Sequence, residues 1–84
     1  MSNNSRDTYI QMFDALLSQE LCYSSSSATE ANIRNAMKRI LGKAIRSNVI
    51  KLYSNLVLDE NLNVHFTIVD ADNTPFDLVL YYGK

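Results

Sequence analysis

Eighty-four residues with a net charge of −1, a 46% apolar content, one cysteine and one histidine describe a single small globular domain, residues 1–84. That much aliphatic content with so little net charge excludes a disordered chain. A lone Cys22 excludes an internal disulfide and a cysteine-rich zinc site, and no run of about 18 apolar residues exists to cross a membrane.

Residues 1–6 are polar and expected to fray. No apolar segment comes after them as in a secretory leader, and Ser2 occupies the position where N-myristoylation needs glycine. A cytoplasmic protein without membrane contact is the expectation. From Asp7 onward Tyr9, Ile10, Phe13, Leu16, Leu17 and Leu21 recur at spacings of three and four, which predicts an amphipathic helix capped by Ser5 or Asp7. Glu20 falls inside the apolar stripe. The run Ser24-Ser25-Ser26-Ser27 predicts a loop, because serine competes for backbone hydrogen bonds.

Ser27-Ala28-Thr29-Glu30 fits a capping box for a second helix. Ile33, Ala36, Met37, Ile40, Leu41, Ala44 and Ile45 form its apolar stripe. A short loop between the helices predicts an antiparallel pair.

After Asn48 the period becomes two. Strands are predicted over residues 49–58, 62–69 and 76–82, joined by turns at 59–61 and 70–75. Residues 48–57 also fit a helix, but Val49, Ile50 and Tyr53 favour pleated positions. A three-residue first turn pairs Leu58 with Leu62, Leu56 with Val64 and Leu52 with Ile68. The second hairpin pairs Phe66 with Leu78 and Val64 with Leu80. These pairings place the apolar sets of all three strands on one face, with Ser54 the exception. The expected fold is a two-layer α+β domain of order ααβββ, a helix pair on a three-stranded antiparallel meander.

Charge is unevenly spread. Residues 31–58 hold Arg34, Lys38, Arg39, Lys43, Arg46 and Lys51 with no acid, whereas Asp59, Glu60, Asp70, Asp72 and Asp77 come later. Arg39, Lys43 and Arg46 share one side of the second helix around Gly42, a candidate basic docking face for phosphate or for an acidic protein patch. A solvated helix face explains the same residues.

No catalytic, metal or cofactor constellation stands out. Asp70-Ala71-Asp72-Asn73-Thr74 lacks the glycine and bidentate Glu of a calcium loop and reads as an acidic turn. His65 has no nucleophile elbow to serve, and Cys22 ends a helix, where a thiol is not activated. Neither of the two glycines belongs to a phosphate loop. The outer sheet face is more informative, since Tyr53, Val57, His65, Thr67, Val69, Val79 and Tyr81 are less polar than a wet face requires. Tyr53, His65 and Tyr81 are its candidate contact residues.

The chain is expected to be a non-enzymatic interaction protein, such as an inhibitor, immunity or regulatory protein, binding a second protein or a second copy of itself. Its size and its Asn and Ser content suit a bacterial or phage accessory protein. The alternative expectation is a nucleic-acid binder that uses the basic second helix.

Overall fold

A computed structural model describes residues 5–24 and 29–81, the side chains of 22–24 excepted. Helix α1 spans Ser5–Ser24, α2 Glu30–Arg46, and strands β1, β2 and β3 span Ile50–Leu58, Val64–Asp70 and Pro75–Leu80. The sheet is antiparallel in the order β1-β2-β3, so the architecture is the expected ααβββ. The strand assignment of residues 50–58 holds against the helical alternative.

Ser5 and Arg6 are helical and do not belong to a frayed lead, so α1 starts two residues before Asp7, whose carboxylate then sits in the first turn and complements the helix dipole. Phe13, Leu17 and Leu21, four residues apart, are its buried line. The α2 cap is Thr29, whose Oγ1 accepts from the Asn32 N–H at 3.3 Å. Ser27, the expected cap, lies outside the described residues, and the helix begins at Glu30 instead of Ala28. Glu30 is therefore not the reciprocal member of a capping box. It pairs with Arg34 at 2.6 Å, one turn on.

α2 ends in a Schellman motif. The Asn48 N–H donates to Ile45 O at 3.1 Å and the Val49 N–H to Ala44 O at 2.9 Å, with Asn48 left-handed at φ 62°. Asparagine tolerates this conformation better than most residues. Asn48→Ala is expected to cost about 1 kcal/mol, lowering Tm by about 4–8 °C in a domain of this size. A thermal melt tracked by circular dichroism checks it.

The second hairpin has the predicted register, with Phe66 opposite Leu78 and Val64 opposite Leu80. The first does not. Leu58 pairs with Val64, not Leu62, and Leu52 pairs with Val69, not Ile68. Two bulges account for the change. Lys51 has no counterpart between the pairs Ile50–Asp70 and Leu52–Val69, and Asn55 with Leu56 opposes Phe66 alone. Each bulge reverses the facing of the strand residues beyond it. Leu52 and Ser54 therefore turn outward and Tyr53 inward against the core, and the second bulge restores Leu56 and Leu58 to the core side. Strict alternation predicts Tyr53 on the outer face; the bulge at Lys51 puts it on the core side, opposite Ile68.

Both hairpin turns are built the same way. Asp59 Oδ1 accepts from the N–H groups of Asn61 (2.8 Å) and Asn63 (3.0 Å), and Asp70 Oδ1 from those of Asp72 and Thr74 (both 2.9 Å). In each turn the residue three positions after the aspartate, Leu62 or Asn73, is left-handed, with φ 65° or 67°. This turn brings Asn63, not Leu62, opposite Asp59, which moves the first register. Leu62 thus sits in the turn, packed against the core.

The two helices cover one face of the sheet, α1 over β3 and α2 over β1. The core lies between the layers. Phe13 meets Phe66 edge-on, ring centroids 5.6 Å apart, and Tyr9 meets Phe76 at 5.4 Å.

Candidate functional site

The six candidate residues fall into three places. Arg39, Lys43 and Arg46 lie exposed on α2, on the side away from the sheet. His65 and Tyr81 lie on the outer sheet face, and Tyr53 is half-buried beneath the helices. No single site unites them.

The basic face is less open to an anion than its sequence implies. Arg39 Nε donates to Glu20 Oε1 at 3.0 Å, across the helix pair. The carboxylate that interrupts the apolar stripe of α1 thus neutralises one of the three cations. Arg34 is held by Glu30 and also donates to the Leu56 carbonyl at 3.4 Å, and Lys51 donates to Asn73 Oδ1 at 2.7 Å. The guanidinium of Arg46 lies over Gly42, where a Cβ would meet its Nη1 at 3.5 Å, an ordinary contact. Lys43 borders two shallow hollows between the helices, of about 270 and 180 Å³, floored by Leu16 and Ile40.

The outer sheet face has no covering layer among the described residues. Leu52, Val57 and Tyr81 are 49%, 53% and 67% exposed on it. Val69 pairs with Leu52, and His65 stands between Val57 and Val79 in the next outward row but one, the polar row Ser54-Thr67-Asp77 lying between. Leu52 was not anticipated here, because the bulge at Lys51 was needed to turn it outward. Three polar residues of the face are engaged. Thr67 Oγ1 donates to Asp77 Oδ1 at 2.8 Å, and His65 Nε2 lies 3.0 Å from Asp59 Oδ2.

That contact with His65, and after it the N–H groups of Asn63 and Asn61, holds the Asp59 carboxyl below its ordinary value of 3.8. The fold therefore favours the carboxylate. The stability this gives is present above pH 3.8 and is lost as the pH falls through the lower, folded-state value. His65→Ala is expected to move the Asp59 midpoint up toward 3.8, read by NMR titration of its carboxyl carbon. An unmoved midpoint would show that the backbone donors alone hold it down.

Cys22 belongs to α1, but its side chain lies outside the described residues. Among the described residues no group of three or more His, Cys, Asp or Glu could hold a metal ion, and no helix is long and apolar enough to cross a membrane. Asp70 carries its turn, with Oδ1 filled by two backbone donors. No protein-family model, curated protein or solved structure matches this chain. The functional reading therefore rests on its own residues.

Proposed function

We propose that the chain is a non-enzymatic binding module that docks a second protein on the outer face of its sheet. The observation that carries this is the exposure of Leu52, Val57 and Tyr81 on an uncovered sheet face, in two apolar groups, Leu52 with Val69 and Val57, Val79 and Tyr81 around His65, on either side of the polar row Ser54-Thr67-Asp77. An antiparallel sheet face that meets only water is commonly polar at alternate positions, and large apolar side chains exposed on such a face suit a contact. An inhibitor, immunity or regulatory protein works in this way, by complementarity alone.

The test is capture from the native cell extract on immobilised wild-type chain, with Val57→Lys and Tyr81→Ser chains beside it. Both positions are more than half exposed, so the circular dichroism should not change. A captured protein whose affinity falls at least about tenfold in both variants supports the reading. Equal capture by all three chains overturns it.

Two further variants separate this reading from nucleic-acid binding by α2. Arg46→Glu should leave capture unchanged, whereas a nucleic-acid binder would lose salt-sensitive affinity. Gly42→Ala should stabilise the helix by about 1 kcal/mol, since the methyl group meets only the Arg46 guanidinium. If α2 approached a partner through the Gly42 backbone, the same methyl would weaken binding.

A further inference from the structure

The two edges of this sheet are not alike. β1 carries both bulges, the Lys51 side chain bonded away to Asn73, and an Arg34 side chain bonded to the Leu56 carbonyl. Bulges and basic side chains are the devices that stop an edge from pairing. β3 has no bulge, and its six residues keep one-to-one register with β2 throughout. It is the last strand on its side.

The turn sets the direction of the open groups on β3. The Asp70 N–H donates to Thr74 O, so residues 70 and 74 form a hydrogen-bonded pair. Alternation then assigns Phe76, Leu78 and Leu80 to the β2 ladder and aims the backbone groups of Asp77 and Val79 at the open edge. Pro75, which lacks an N–H, occupies an outward position where β2 loses nothing.

The geometry points to a second copy of this chain as the occupant of that edge, the two β3 strands pairing antiparallel about a twofold axis into one six-stranded sheet. With Val79 opposite the second copy's Val79, Asp77 stands opposite the second copy's Tyr81. That arrangement offers a phenol to a carboxylate, whereas centring the pair on Asp77 would oppose two like charges. The twofold contact is self-complementary and closed. It leaves the two bulged β1 strands as the outer edges, so growth stops at two chains.

Area favours the same occupant. Three strands about 4.8 Å apart and about seven residues of about 3.3 Å give each outer face roughly 330 Å². A stable protein contact uses about 800 Å² per partner. Two joined faces approach that figure and bring the two Val79 side chains together on the surface for the docking proposed above. Only this area argument rests on the docking reading; the edge geometry does not.

The test uses the full chain. Sedimentation should give twice the 9.5 kDa chain mass, dissociating on dilution. Val79→Pro removes an outward N–H without touching the β2 ladder and should sediment at 9.5 kDa with unchanged circular dichroism. In the unmodified chain the Asp77 and Val79 amides should exchange with deuterium at least about tenfold more slowly when concentrated than when dilute. That measurement decides the matter if the proline variant does not fold. A chain of 9.5 kDa at every concentration, a dimer untouched by Val79→Pro, or amide exchange independent of concentration each overturns the pairing. A monomer that still captures its protein through Val57 and Tyr81 sinks the pairing alone. A dimer whose Val57→Lys form captures as well as wild type sinks the docking reading alone.

Discussion

Phe13→Ala is expected to leave the chain largely unfolded at 25 °C. The ring is fully buried, packs edge-on against Phe66, and begins the buried line Phe13, Leu17 and Leu21 of α1. Truncating such a ring costs about 3–5 kcal/mol, part transfer free energy and part residual cavity. A domain this small has about 3–5 kcal/mol in all, so the loss is comparable with the whole. Phe13→Leu keeps most of the volume and should cost about 1–2 kcal/mol, remaining folded. Urea unfolding of the three chains gives the comparison. A Phe13→Ala chain destabilised by less than about 1 kcal/mol would mean that α1 does not close the core over β3. The consequence reaches the proposed docking face, because α1 lies over β3 and holds down the strand that presents Val79 and Tyr81.

The periodicity of the chain made the elements, their order and the second hairpin legible. Alternation in Val64–Asp70 is unbroken, buried at every second position, and it fixes the register with β3. β1 was harder. Nine of its residues face seven of β2, and no strict two-residue period can absorb the difference. Ser54 was the visible warning. A serine in an otherwise apolar set marks a place where the set has changed sides, and it faces outward beside Thr67. The matching Asp-x-Asn-x-Asn and Asp-x-Asp-x-Thr turns were a second readable signal. Each puts a carboxylate two and four residues before the N–H groups it binds. The basic face could not be judged from α2 alone, because the carboxylate that neutralises Arg39 comes from α1, nineteen residues earlier. Candidate contact residues on one helix or one strand are legible, but which of them remain open depends on long-range partners.

The twin turns allow a comparison in which the bonds are the same and the burial is not. Asp59 and Asp70 each accept two backbone N–H groups through one oxygen. Asp70 is buried, and its second oxygen accepts from the Tyr9 hydroxyl at 3.4 Å, whereas the second oxygen of Asp59 faces His65 at a half-exposed position. Hydrogen bonds to a charged group contribute about 1.5–3 kcal/mol each, less than additively, and leaving the donors unpaired inside costs more than leaving them in water. Asp70→Ala is therefore expected to destabilise by about 2–4 kcal/mol, and Asp59→Ala by clearly less. Asp70→Asn keeps an acceptor for the turn and should recover most of the loss. It should also act on Tyr9, whose pKa is raised above 10.0 first by burial and then by the charge of Asp70. A raised folded-state value means that the fold favours the neutral phenol, so its contribution is full below pH 10.0 and declines as pH climbs through the folded value. Removing the Asp70 charge should bring the Tyr9 titration down, read by phenolate absorbance at alkaline pH. Equal losses for the two alanine variants would mean that water reaches both turns alike, and that the contact between Tyr9 and Asp70 does not tie the start of α1 to the end of β2.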